Sequence, residues 1–208
     1  MISLREMLYY IIKGIDGIIT PLILLLTKII IVDSPVIVSL GKLRGLILLP
    51  FIKCKSIPSI GKDVYFSELL TRKYVFGKNV GISNFCKLFG PIEIGDNVDI
   101  NYNVQLRPQT FIGNNVGIGP NTLFMTDTHD LGNEKKRVGK HRIKKIVVED
   151  GCWIGANVIV LGGVTIGAGS VIGAGSIIDT DVKPNSLVVS DRSKKTREIR
   201  KLNFLRKS

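Results

Sequence analysis

Every sixth residue from Phe76 is large and apolar: Phe76, Ile82, Leu88, Ile94, Ile100, Leu106, Ile112, Ile118 and Phe124. The frame breaks and then resumes at Val148, Ile154, Val160, Ile166, Ile172 and Ile178. In a chain that is 45% hydrophobic, chance agreement over that run is on the order of a few in 10⁵, so this is an internal repeat. Four residues after each comes a small or β-branched partner, among them Val80, Cys86, Val98, Thr122, Thr128, Cys152 and Ser170. One large and one small inward residue per six builds a short strand and a turn. Three such units close a triangular coil, and stacked coils bury an aliphatic column that no single coil can hide. The spacing therefore predicts an all-β, parallel β-helix over about 60–183.

The frame from 76 to 183, less a break at 130–147, amounts to five full coils. A sixth, irregular coil begins at Ile60-Gly-Lys-Asp-Val-Tyr, in a different frame. The break is a multiple of six, so it reads as one coil pulled outward into a loop. Within an N-terminal segment 1–55, residues 1–32 are greasy but interrupted by Lys13, Asp16, Pro21 and Lys28. No stretch reaches the roughly 20 apolar residues that a spanning helix needs, and the order of charges is wrong for a cleaved signal peptide. One or two helices are predicted there, about 2–31 and 35–49, broken at Asp33-Ser34-Pro35. They cover the open end of the β-helix, pack on a neighbouring subunit, or lie on the inner membrane face with Lys28, Lys42 and Arg44 near head groups.

Charge is concentrated in two places. The loop 130–147 carries seven Lys/Arg against Asp130 and Glu134, and the tail 183–208 nine against Asp191 and Glu198. These +5 and +7 sum to the net +12, so the rest of the chain is neutral. Anionic ligands fit such features. Nucleic acid does not, because neither segment interleaves aromatics with its bases. The cysteines, Cys54, Cys86 and Cys152, are odd in number and form no CxxC pair. Cys86 and Cys152 fall on inward positions and read as core thiols, so a reducing, cytoplasmic setting is expected. Two histidines and no metal-spaced cysteines leave no zinc site.

His129 follows the last repeat before the break, in Met125-Thr-Asp-Thr-His-Asp130. An imidazole titrates near pH 6.5, about right for a general base, and this one is flanked by two carboxylates at the rim of the coils. Asp127, Asp130 or a backbone carbonyl is expected to hold the ring in the needed tautomer. His141, in the basic run Gly-Lys-His-Arg, reads as an ordinary surface histidine.

The stretch from Ile112-Gly-Asn-Asn-Val-Gly, through His129 and Gly151-Cys-Trp-Ile-Gly-Ala-Asn-Val, to Val164-Thr-Ile-Gly-Ala-Gly-Ser resembles the hexapeptide-repeat acetyltransferases. The similarity covers about 60–208 and is greatest to sugar O-acetyltransferases, in particular those acting on Gram-positive capsular polysaccharide. It implies a left-handed β-helix, a homotrimer and acetyl-CoA held between subunits. It implies His129 as general base, Asn101 of Ile100-Asn101-Tyr-Asn103 in the same cleft, and Trp153 walling the acetyl end. Ala156 and Ala174 match positions touching pantetheine, and Lys194 and Arg197 match contacts near the nucleotide phosphate. The family's usual Gly-x-Pro-Ala before those bases is replaced by Ser190-Asp-Arg-Ser193, and its frequent Thr-Lys by Asp179-Thr180. The implied reaction is direct acetyl transfer to a sugar hydroxyl, with an acidic, inner-membrane-built acceptor suggested by the basic loop. An amino sugar nucleotide or serine as acceptor, and a non-enzymatic scaffold, are the alternatives.

Overall fold

The structure, a computed structural model, describes residues 13–22 and 37–189. Its body is a parallel β-solenoid of three sheets, holding six, seven and six strands. Sheet A stacks Lys53–Cys54, Tyr74–Phe76, Ile92–Ile94, Thr110–Ile112, Ile146–Val148 and Thr165–Ile166. Sheet B stacks Ser59–Ile60, Gly81–Ile82, Asp99–Ile100, Gly117–Ile118, Trp153–Ile154, Val171–Ile172 and Leu187–Val188. Sheet C stacks Tyr65–Phe66, Lys87–Leu88, Gln105–Leu106, Leu123–Met125, Ile159–Leu161 and Ile177–Ile178. The chain visits A, B and C in turn, the all-β architecture expected and one consistent with the left-handed β-helix that the resemblance implies.

The hexad rule sets the register. Ile82, Ile100, Ile118, Ile154 and Ile172 are successive ladder partners on sheet B, and all are buried. Small inward positions complete the packing: Cys86 is 0% and Cys152 1% exposed. Inward hydroxyls find carbonyl partners, Thr110 with Arg107, Thr122 with Gly155 and Ser170 with Lys183, which removes the cost of burying them. At the corners, one residue in six turns through positive φ, and several are asparagines (Asn79, Asn97, Asn115, Asn157). Asparagine tolerates that conformation best among residues with a Cβ. The Asn79, Asn97 and Asn115 amides then bond one to the next at 3.0 Å.

The first coil explains the odd frame at Ile60. Cys54 pairs with Phe76, Ile60 with Ile82 and Phe66 with Leu88, each 22 residues on rather than 18. Four extra residues bulge at the corner after Ser67. There Asp16, 0% exposed, in the helical segment 13–22 accepts hydrogen bonds from Thr20 and from the backbone and hydroxyl of Thr71. The second helix, α1 (Ile37–Leu48), falls within the expected 35–49 and lies against the strand Ser59–Ile60. The approach is close: a Cβ on Gly45 would sit 2.1 Å from the Pro58 carbonyl oxygen. Most of the first expected helix, 2–31, falls outside the described residues.

The extruded segment starts earlier and ends sooner than the expected 130–147. The chain leaves sheet C after Met125, forms an antiparallel hairpin of Asp127–Leu131 and Val138–Ile143, and rejoins sheet A at Ile146 opposite Thr110. Thr128, expected as an inward residue, lies half-buried in the hairpin instead. Strand pairing sets its place instead, opposite Arg142 in the antiparallel hairpin.

Because the column is continuous, one inward truncation should be felt globally. Ile154→Ala, at a site with 0% exposure, should cost about 2–5 kcal/mol in denaturant unfolding. Lys136→Ala at the exposed hairpin tip should stay within about 0.5 kcal/mol.

Candidate active site

The outward column of sheet B runs Ser59, Gly81, Asp99, Gly117, Trp153 and Val171 in register. Gly81 and Gly117 carry no side chain, so the face is hollowed into a groove of about 600 Å³. Asn101 and Tyr102 line its edge and Trp153 its floor, while Arg44 reaches in from α1. Trp153 is 63% exposed, an unusual place for an indole unless something covers it. Arg44 is nearly buried and donates to the Ile60 carbonyl at 3.1 Å. Burial pulls its pKa below the ordinary value, against the opposing pull of Asp63.

This edge continues along the solenoid. The corner from sheet B to sheet C stacks Asn101, Gly119, Gly155 and Gly173 at one level and Tyr102, Pro120, Ala156 and Ala174 at the next, held by bonds such as Asn101 N–H to Ile118 and Gly155 N–H to Ile172. A Cβ on Gly119 would lie 2.6 Å from the Ala156 nitrogen, and one on Gly155 2.7 Å from the Ala174 nitrogen. Asn101, Ala156 and Ala174 thus follow one narrow corner, and the exposed Trp153 indole stands on the adjoining face in the same coil as Ala156.

His129 stands elsewhere, on the hairpin at the next corner, between sheets C and A. It does not line the groove that holds Asn101 and Trp153. His141 is its direct cross-strand partner, the ring centroids 5.3 Å apart at 67°. The carboxylates expected to orient His129 are engaged by arginines. Arg107 grips Asp127 with Nε at 2.8 Å and Nη2 at 2.5 Å, and Asp130 takes Arg142 at 3.0 Å. Arg107 also lies over the Phe89 ring, 4.7 Å from its centroid. The hydrogen bond from Arg107 holds the Asp127 carboxyl below the usual carboxylate range.

Lys194 and Arg197 lie outside the described residues. A larger groove of about 830 Å³ runs outside sheet A past Val75, Phe111 and Val147, and holds none of the candidate residues. Among the described residues no cluster of three or more His, Cys, Asp or Glu forms a metal site. Sequence reasoning set His141 aside and missed Arg107. Position 107 is 18 residues before Met125, hence stacked on the root of the hairpin, a signal legible once the repeat is counted.

Residues 145–180 match the bacterial transferase hexapeptide (six repeats) model. A putative acetyltransferase of Schizosaccharomyces pombe is 42% identical over 110 residues, which are 52% of this chain and 53% of that protein. The galactoside O-acetyltransferase of Lactococcus lactis is 36% identical over 96 residues, 45% of this chain and 46% of its own length. The chain thus spans about half the length of the curated relatives it matches. A hexapeptide-repeat-containing acetyltransferase of Vibrio cholerae superposes with a TM-score of 0.57 at 26% identity, over 91% of this chain and 92% of that one. Residues 145–180 of the solenoid thus carry the hexapeptide repeat of bacterial transferases.

The Asp127 pair gives a pH signature. A carboxyl whose folded pKa is lowered contributes stability that is fully present above its ordinary value of about 3.9, and loses it as pH falls through the lowered folded value. Amide exchange of 127–143, corrected for intrinsic rates, should therefore accelerate on acidification below about pH 4. Asp127→Asn should be loosened already at neutral pH and lack that acid step.

Proposed function

We propose that this chain is an acetyl-CoA-dependent acetyltransferase that acetylates a sugar hydroxyl, with capsular or other surface polysaccharide intermediates as its acceptors. The observation that carries the reading is the track of Asn101, Ala156 and Ala174 on one edge of a hexapeptide solenoid, with Trp153 on the face beside it. A pantetheine arm is thin and needs close approach to backbone, which alanines at a stacked corner allow. An exposed indole beside it supplies an apolar wall for an acetyl group. The Vibrio cholerae acetyltransferase has been solved in complex with acetyl coenzyme A, which supports the donor.

In the reaction so read, His129 takes the proton of the acceptor hydroxyl as its oxygen attacks the thioester carbonyl. Backbone N–H groups at the coil corner stabilise the resulting oxyanion. The tetrahedral intermediate collapses with loss of the CoA thiolate, which takes up a proton. Holding alcohol and thioester together supplies much of the remaining rate.

The track and His129 lie on different edges, with sheet C between them. A homotrimer, in which the His129 hairpin of one copy meets the track of the next, completes the site. Its support is the apolar outward column Leu123, Ile159 and Ile177 on sheet C, the last 65% exposed. Lys135, Lys136, Arg137 and Lys140 on the same hairpin are exposed and favour an acidic acceptor, such as a uronic-acid sugar or a phosphate-linked intermediate. A cytoplasmic enzyme at the inner membrane face fits such acceptors. The exposed Ile15, Ile18 and Leu22 beside Lys13 support peripheral contact there. No helix among the described residues is long and apolar enough to cross a membrane.

His129→Ala should lower kcat by about 10²–10⁴-fold with the fold retained. Near-normal turnover with acetyl-CoA and sugar acceptors, followed by mass spectrometry, would remove the base assignment. Gly117→Leu fills the groove where a Cβ has only ordinary contact, 3.9 Å from Trp153. It should raise the apparent KM for acetyl-CoA at unchanged thermal midpoint, and an unchanged KM would move the donor off sheet B. Lys194→Ala with Arg197→Ala should also raise that KM, by an amount that added salt diminishes. Equal KM at low and high salt would place the donor's phosphates elsewhere. In the same assays, acetylation of amino sugars in preference to hydroxyls would replace the O-acetyl reading with N-acetyl transfer.

A further inference from the structure

We propose that Arg107, backed by Phe89, is a positioning residue for the His129 hairpin, acting through Asp127; the proposal rests on the reading of His129 as the base.

The corner between sheets C and A repeats every 18 residues, so Phe89, Arg107 and Met125 stack there. Met125 is the last solenoid residue before the hairpin, and Asp127 the first residue of its first strand. Side chains alternate along a strand, so Asp127 and His129 share one face of the hairpin. The cross-strand register adds His141 and Ile143 to that face, opposite His129 and Asp127 in turn. The Asp127 carboxyl is held low foremost by the Arg107 hydrogen bond. A clamp on Asp127 therefore fixes the face that presents both imidazoles.

The clamp is built for geometry. Arg107 uses Nε and Nη2 on the two oxygens of Asp127, a fork-to-fork pair that sets orientation as well as distance. Its guanidinium lies over Phe89, whose ring packs on Tyr65 at 5.6 Å. Side-chain exposures of 27% and 19% leave the pair partly shielded from water. Its backbone is held as well, since the Arg107 carbonyl accepts from buried Thr110 and its N–H donates to Phe124. The other ion pair of the hairpin, Asp130 with Arg142, lies on the opposite face and joins its two strands only to each other. The Arg107 pair, by contrast, is a charged side-chain link between hairpin and solenoid.

Arg107→Lys keeps the charge but loses the fork and the planar stack; Asp127→Asn keeps the shape but loses the charge. Each should lower kcat by about 10- to 100-fold, the scale on which a displacement of about 1 Å acts, with the KM for acetyl-CoA within about twofold and the solenoid's thermal midpoint unchanged. Their double variant should be no worse than the poorer single one, the signature of residues acting as a unit. Amide exchange should rise over 127–131 and 138–143 and nowhere in the sheets.

The assays use the full chain, acetyl-CoA and a panel of free neutral and uronic-acid sugars, with His129→Ala alongside. Faster hairpin exchange with undiminished kcat, while His129→Ala is inactive, overturns the positioning role and leaves the base reading standing. Full restoration by Arg107→Lys, or independent additive losses, also overturns it. An active His129→Ala, or an unsubstituted chain inert toward every sugar, overturns the reading beneath it.

Discussion

The constraint on which everything else depends is the parallel stacking of each coil on the next through strands only two or three residues long. A two-residue strand holds no register by itself. What holds it is the inward side chain, because a slip of one residue would turn a buried isoleucine outward and an aspartate or lysine inward. The ladder Ile82, Ile100, Ile118, Ile154 and Ile172 is thus both the core and the ruler of the molecule. With the rise fixed by strand pairing and the period fixed by the column, residues 18 apart lie directly over one another wherever no insertion intervenes.

Departures from the period are confined to corners for the same reason. Four extra residues after Ser67 and eighteen after Met125 both leave the ladders on either side intact, since Phe66 still meets Leu88 and Phe124 still meets Val160. A corner carries fewer ladder bonds, so it can be lengthened without breaking a sheet. The two insertions then acquire their own partners. The first is bound through buried Asp16 to the helical segment 13–22, the second through Arg107 to the coil above it. In each case a carboxylate is met by several donors at once, which offsets its partial removal from water.

Much of this was legible in the sequence, and the limits are physical. The inward column could be counted because a six-residue period forces one large residue per turn, as Phe76 to Phe124 show. Asn101, Trp153, Ala156 and Ala174 came from resemblance alone; Asn101, Ala156 and Ala174 fall at one corner of the solenoid and Trp153 on the face beside it. The groove lined by Asn101 and Trp153 was hidden, because Gly81 and Gly117 look like ordinary turn glycines until their strand register places both outward. The extent of the hairpin was hidden too. Thr128 obeys the hexad frame, yet it pairs with Arg142 in the antiparallel hairpin. That pairing also brought His141 to His129, a neighbourhood that depends on the hairpin turn and not on any spacing in the chain.

The division of candidate residues between two edges follows from the same geometry. A strand pairs on both sides with its neighbours above and below, so a solenoid face offers only its outward side chains. Backbone N–H and C=O groups, the usual means of holding a slender amide-bearing ligand, come within reach at the corners alone. A long insertion is likewise tolerated only at a corner. The small-residue track occupies the corner between sheets B and C and the histidine hairpin the corner between C and A, with one flat face separating them. That face is the one bearing Leu123, Ile159 and Ile177 outward, an apolar strip whose covering by another copy would remove it from water. Copies joined in parallel along that face would set one copy's B–C corner beside its neighbour's C–A corner, whereas an antiparallel pairing would join like corners. A site that needs both corners is then open only to the parallel arrangement of copies.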